Sequence, residues 1–173
     1  MGMHSNGQCA INVSLQGKVT RNINSDKISY ASQSPWILNS TVKENIIFGQ
    51  PLDEKRYKEV CAAACLDLDL KNLPGGDQTE IGERGINLSG GQRQRVSVAR
   101  ALYAHSDLVI LDDPLSALDA HVGAKLFEKG IQKFLGGANR TVVLITHHLQ
   151  YLKDADLVGL LLTLMHAEIF CER

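Results

Sequence analysis

The sequence has few aromatic residues, no excess of either charge, no long apolar run and no cysteine framework. Each shortage removes a class of function. Aromatics make up 5% of 173 residues, too few for the stacking platforms that hold single-stranded nucleic acid. With 18 basic against 19 acidic side chains the formal net charge is −1, which excludes a general polyanion binder and with it a nucleic-acid partner. The longest apolar run, Leu157 to Met165, is interrupted by Gly159 and Thr163 and reaches only about half of the roughly 20 residues that span a bilayer. Met1-Gly-Met-His-Ser-Asn lacks the basic start and apolar stretch of a signal peptide, so the chain alone is expected to be soluble. Cys9, Cys61, Cys65 and Cys171 are unevenly spaced, as in a reduced intracellular protein. Cys61 and Cys65 are four apart and suit helix packing better than a zinc site, for which no further soft ligands have the spacing.

What is present is enough to build a core: 44% of residues are apolar and 21% charged, proportions of a folded domain rather than a disordered chain. Ile28 to Ala31 reads as a short strand, and Thr41 to Phe48 as a helical turn or two ending at Gly49. From Asp53, a plausible N-cap, Tyr57, Val60, Cys61, Ala64 and Cys65 have helical spacing. Gly75, Gly76, Gly82, Gly85, Gly90 and Gly91 mark a loop region that hands over at Ser89 to a helix ending near Tyr103 or Ala104. Asp107 to Leu111 and Thr141 to Ile145 read as strands buried on both faces of a parallel sheet, with Leu157 to Leu164 as a third candidate. Between the first two, Asp119 caps a long helix carrying Val122, Leu126, Phe127, Ile131, Phe134 and Leu135. Alternating strands and helices predict an α/β domain. Ligands of such sheets bind beyond the carboxyl ends of the strands, where Asp112, Asp113, His147 and His148 stand.

The segment Leu88-Ser-Gly-Gly-Gln92, continued by Arg93-Gln-Arg-Val-Ser-Val-Ala-Arg-Ala101, carries the most information. Ser89 caps a helix whose first turn is glycine, so bare N–H groups and the positive helix end can approach a phosphate. With its extension, this stretch resembles the signature motif of ATP-binding cassette (ABC) ATPases. Other marks follow in that family's order. Gln33, within Tyr30-Ala-Ser-Gln-Ser-Pro-Trp36, resembles the Q-loop. Leu108-Val-Ile-Leu-Asp-Asp113 resembles the Walker B strand, Ser116-Ala-Leu-Asp119 the D-loop, and Thr146-His147 the switch histidine. The wording of Thr41 to Gly49, Gly76 to Gly85 and Asp112 to Ala120 is similar to the first nucleotide-binding domain of subfamily C, the multidrug-resistance-associated and sulfonylurea-receptor proteins.

The resemblance implies a P-loop NTPase-like parallel sheet with an inserted α-helical subdomain, and ATP and Mg2+ as cofactors. Asp112 and Gln33 would hold the magnesium ion; Asp113, His147 and Gln33 would serve catalysis. Ser89, Gly90, Gly91 and Gln92 would face the nucleotide of a second domain in trans, with Asp119 also at the nucleotide. His148 has no such support and reads as structural or exposed. The basic side chains of Arg93, Arg95 and Arg100 read as a solvated or ion-paired face. The implied partners are a second nucleotide-binding domain and transmembrane domains, at the cytoplasmic face of a membrane as part of an integral transporter.

Two departures qualify that picture. A working phosphate loop reads G-x-x-x-x-G-K-[S/T]. The nearest string, Gly2-Met-His-Ser-Asn-Gly7-Gln8-Cys9, keeps the spacing of Gly2 and Gly7 but has Gln for Lys and Cys for Ser or Thr. Residues 2–9 are thus either a decayed phosphate loop or an unrelated N-terminus. Loss of the lysine's charge-assisted hydrogen bond, about 1.5–3 kcal/mol, weakens binding roughly tenfold to a hundredfold. The second departure is Asp113, where active family members have Glu. The domain reading is a degenerate or truncated part of the ATPase core over 1–27, the nucleotide-binding domain over 28–165 and a tail over 166–173. Within the domain, about 37–87 form the helical subdomain and 88–165 carry the signature, Walker B, D-loop and switch histidine. A fragment or truncated product of a longer transporter is expected. The alternatives are a non-catalytic regulatory module and, more remotely, a soluble ABC ATPase.

Overall fold

A computed structural model describes residues 2–3, 9–10, 27–82, 87–138, 140–161 and 168–172. The first elements are two short strands, β1 (Gly2–Met3) and β2 (Cys9–Ala10), paired antiparallel. A phosphate loop instead carries the chain from a strand into a helix, so Cys9 stands in a strand where that reading needs the first helical turn. Gly7 lies outside the described residues.

Among the described residues the central sheet has three parallel strands: β3 (Ile28–Ala31) and, further along the chain, two strands introduced below. Next come β4 (Ser40–Thr41) and three helices, α1 (Val42–Ile47), α2 (Glu54–Ala63) and α3 (Asp67–Asn72). Strand β5 (Glu80–Ile81) closes this insert by pairing antiparallel with β4. Thr41 starts α1 with a capping box: its hydroxyl accepts from the Glu44 N–H while the Glu44 carboxylate accepts from the Thr41 N–H, both at 3.1 Å. Phe48 then ends the helix in the left-handed region (φ 47°) and Gly49 follows at φ 76°. Asp53 caps α2 by accepting from the Lys55 and Arg56 N–H groups.

Helix α4 (Gly90–Tyr103) runs beneath the sheet and buries Val96, Val98, Ala99 and Leu102 almost completely. Its C-terminal carbonyls are satisfied from α2, because the Arg56 guanidinium donates to Leu102 O at 2.8 Å, Tyr103 O at 2.9 Å and Ala104 O at 3.2 Å. Strand β6 (Leu108–Asp112) follows and occupies the middle of the sheet. It pairs in parallel with β3 on one side, Ile28 opposite Leu108, and on the other with β7 (Thr141–Ile145), Leu108 opposite Thr141. Leu108, Val109 and Leu111 are buried, as expected of a strand covered on both faces.

Strand β7 departs from its prediction. Among the described residues it lies at the edge of the sheet, and Thr141, Val143 and Ile145 face outward, Ile145 being 50% exposed. Period two sends alternate residues to opposite faces, and only the side of Val142 and Leu144 packs on the core. Between β6 and β7, α5 (Ala120–Leu126) is capped by Asp119 as expected, but its continuation over Phe127–Leu135 is a π-type helix. Gly130 lies in that stretch against the end of α2, where an added Cβ would meet Ala63 O at 3.1 Å. A third departure is β8 (Leu157–Leu161), which pairs antiparallel with β9 (Glu168–Glu172) instead of joining the parallel sheet.

Cys61 is buried within α2, whereas Cys65 lies past the helix end at φ 57°, so the two do not share a helical face. Burial pushes the Cys61 thiol up to about 11. At pH 8 its thiolate fraction is therefore about a hundredfold below that of an ordinary cysteine. Iodoacetamide labelling followed by peptide mass spectrometry should leave Cys61 unmodified in the native chain, with labelling rising only as the pH approaches 11 or on addition of urea.

Candidate functional site

The carboxyl end of β6 delivers two consecutive carboxylates. Asp112, the last residue of the strand, accepts a hydrogen bond from the Tyr30 hydroxyl at 2.9 Å across the β3–β6 ladder. That bond, slight burial and the neighbouring negative charge raise the pKa of the tyrosine. Asp113 leaves the strand in the left-handed region (φ 46°), a conformation that Asp tolerates better than most residues. Its N–H donates to Ile145 O at 2.8 Å, while its carbonyl accepts from the Ser116 hydroxyl at 2.9 Å. So anchored, the carboxylate meets groups from two other elements. Gln33 Nε2, beyond β3, donates to Oδ2 at 3.4 Å. His147 Nδ1, beyond β7, stands 3.3 Å from Oδ1, within ion-pairing distance. β3, β6 and β7 thus contribute to one cluster at their carboxyl edge, as parallel sheets arrange their ligand sites. Asp113 is only 8% exposed, and its Oδ1 is buried without a hydrogen bond.

A second feature is the head of α4. Ser89 and Gln92 form a capping box, with Ser89 Oγ accepting from the Gln92 N–H at 3.2 Å and Gln92 Oε1 accepting from the Ser89 N–H at 2.9 Å. The two glycines differ in surroundings. An added Cβ on Gly91 would meet Ala117 O at 3.1 Å and Leu118 Cδ2 at 3.4 Å, so the 116–119 segment packs on the helix start; Gly90 has nothing within 4 Å. Asp119 is occupied as the cap of α5, accepting from the His121 and Val122 N–H groups.

The model of the family described as ABC transporter matches residues 3–116. The chain belongs to the ABC transporter family. This ABC domain is 61% identical over 129 residues to human "ATP-binding cassette sub-family C member 8", covering 75% of the chain and 8% of that protein. It is 53% identical over 142 residues to "Multidrug resistance protein mrp-7" of Caenorhabditis elegans, covering 82% of the chain and 9% of the relative. Against the maize "ABC transporter C family MRP4" it is 46% identical over 161 residues, 91% of the chain and 10% of the relative. The domain is thus a nucleotide-binding domain of subfamily C with a P-loop NTPase fold, spanning about a tenth or less of the length of the relatives it matches. Among the described residues no helix is long and apolar enough to cross a membrane.

ATP binding with magnesium is a general property of this family, and the residues present fit those groups in part. The Asp112 carboxylate and the buried Oδ1 of Asp113, which has no hydrogen bond, are oxygen donors of the kind a hydrated magnesium ion takes. Residues 2–9 fit poorly, having no lysine and pairing Cys9–Ala10 with Gly2–Met3 in antiparallel strands.

Several side chains have roles that sequence reasoning missed. Asp69, in the first turn of α3, accepts from Gln92 Nε2 at 3.1 Å and takes the Arg95 guanidinium in a bidentate pair, with contacts of 2.7–3.0 Å. Arg95 is therefore ion-paired as predicted, and Arg93 is exposed. Arg100 is not on a solvated face: it is buried, donating to Asn45 O at 2.7 Å, Asn45 Oδ1 at 3.0 Å and Trp36 O at 3.3 Å. Its position offered a signal, since residue 100 falls one helical turn after Val96 and one before Tyr103 on the buried stripe. Asp69 offered none, because nothing local distinguishes its carboxylate from its neighbours'. His148 is half-buried with its ring tilted against that of His147, centroids 4.3 Å apart.

Proposed function

We propose that this domain is the first of the two nucleotide-binding domains of a subfamily C transporter, that it binds Mg-ATP, and that its own site hydrolyses ATP poorly. The observation that carries the reading is Asp113. A glutamate there would extend one methylene further; the aspartate is instead anchored through its backbone and engaged between Gln33 and His147. A displacement of about 1 Å from the attacking water costs on the order of a hundredfold in rate. Asp112 and Gln33 would hold magnesium, which supplies charge neutralisation to the phosphates when bound. His147 would donate to a terminal phosphate oxygen, and Gln33 would orient water. Ser89, Gly90, Gly91 and Gln92 would be offered in trans to a partner domain's nucleotide, with Asp119 nearby. The open space around Gly90 supports that role.

The domain organisation follows the same reading: a degenerate N-terminal part over 1–27, the nucleotide-binding domain over 28–165 with its helical subdomain over about 37–87, and a tail over 166–173. Contact of the insert with transmembrane domains at the cytoplasmic membrane face is supported by Leu38, Phe48 and Leu52, which are 42%, 47% and 44% exposed. A non-catalytic partner module is the second reading, favoured by Gln8 and by the antiparallel pairing of β1 with β2.

Trp36 provides the test. It lies three residues after Gln33, is 47% exposed and has the Arg100 guanidinium 4.0 Å from its ring centroid. Titration of the purified chain with Mg-ATP should change its emission saturably, with a Kd in the micromolar to low-millimolar range. In Asp112→Asn the Kd should rise at least about tenfold, the equivalent of one hydrogen bond to a charged group. No response from a folded chain would remove nucleotide binding and leave the partner-module reading.

A further inference from the structure

Asp113, His147 and His148 form a cluster with a chemistry that ATP does not require. Their donor atoms lie within 4.8 Å of one another. Asp113 Oδ1, on a residue more than nine-tenths buried, and His148 Nε2 are both buried without a hydrogen-bond partner. Buried polar atoms without a hydrogen bond are rare in folded proteins, and each calls for an explanation. The His148 ring is also held in place. His148 packs edge-on against Tyr151, centroids 6.2 Å apart, and Tyr151 stacks on Phe127 at 4.1 Å. The His147 side chain is 69% exposed and so is free to adjust.

The donor set selects the ion. Magnesium and calcium take oxygen ligands, whereas two imidazoles and one carboxylate suit zinc, cobalt, nickel or copper. Zinc binds nitrogen and oxygen at about 2.0–2.2 Å in a tetrahedron, which spaces its ligand atoms roughly 3.3 Å apart. Asp113 Oδ1 and His147 Nδ1 already stand at 3.3 Å. We propose that Asp113, His147 and His148 bind a divalent transition metal ion, zinc first among them, with the fourth position open. The site shares Asp113 and His147 with the nucleotide reading, but the binding of metal does not depend on whether ATP binds.

The full chain would be titrated with zinc chloride by calorimetry, and with Co2+ by visible absorption. One equivalent should bind, and the cobalt spectrum should be that of a four-coordinate site without a thiolate charge-transfer band. Removing even an outer-shell partner of a metal ligand costs about 10–100-fold in affinity, so His148→Ala should weaken zinc by at least about tenfold. Asp113→Asn, which preserves shape, should do the same. Circular dichroism checks that each variant is folded, and His148→Gln replaces His148→Ala if the latter is not. No saturable metal binding to the folded chain overturns the proposal, as does binding undiminished in these variants or a thiolate band. Mg-ATP titration of the wild-type chain, read from Trp36, separates the two ideas. ATP binding without zinc binding ends the metal site alone, and His148-dependent zinc binding without ATP binding ends the nucleotide reading alone.

Discussion

Replacing Arg100 with alanine is expected to lower the unfolding free energy by about 3 kcal/mol. The guanidinium donates to the Asn45 carbonyl, the Asn45 side chain and the Trp36 carbonyl. It also lies over two aromatic rings, 4.0 Å from the Trp36 centroid and 5.1 Å from that of Phe48. Hydrogen bonds to a charged donor contribute about 1.5–3 kcal/mol each, and a desolvated cation–π contact about 2 kcal/mol. Relief of the buried charge offsets much of that sum: burial pulls the guanidinium down to about 10, still protonated at neutral pH. What remains is the cost of an unpaired Asn45 carbonyl and a hole beside Trp36. Urea denaturation should show the loss as a lower midpoint. The melting temperature should fall by about 6–12 °C, taking 2–4 °C per kcal/mol for a domain of this size. Arg100→Lys should recover only part of it, because an ammonium cannot reproduce the planar fork. Equal stability of the alanine variant would mean that the Arg100 contacts contribute nothing net.

The second large effect separates two adjacent glycines. Gly91→Val should destabilise the domain by about 1–3 kcal/mol, the usual cost of forcing bulk into packed structure, since its Cβ would stand 3.1 Å from Ala117 O. Gly90→Ala should be neutral or slightly stabilising, within about 1 kcal/mol, because the position is open and alanine restricts the unfolded chain. Thermal melts of the two variants test this contrast. If the head of α4 meets a phosphate in trans, Gly90→Ala should nonetheless suppress ATP turnover in an assembly with a competent second domain. Wild-type turnover there would remove Gly90 from the proposed contact.

These expectations show which parts of the molecule could be read in advance. Ser89, Asp53 and Asp119 were legible as helix caps because a cap is a bond between residues two or three apart. Strand β6 was legible as an unbroken apolar run, displaced by one residue, from 107–111 to 108–112. The ordered motifs pointed to the residues that gather at the sheet edge: Gln33, Asp112, Asp113 and His147. Local pattern could not tell that β7 alternates between exposed and half-buried residues, for burial there depends on which layer covers each face. Nor could it tell that Leu157–Leu161 pairs with Glu168–Glu172 instead of the sheet, since pairing is a choice among distant partners. The π-type turn over Phe127–Leu135 had no signature beyond Gly130, whose need for closeness became visible only beside Ala63.

Asp69 and Arg100 together have a mechanical consequence. One carboxylate of α3 grips Gln92 and Arg95 at the head of α4, and Arg100, further down the same helix, grips α1. Two clamps spaced along one rod remove the freedom to swivel about either. The 42–81 segment therefore cannot pivot on α4 unless a charged fork tears loose. A push delivered to that segment would turn the glycine end of the rod with it, as a crank turns its shaft.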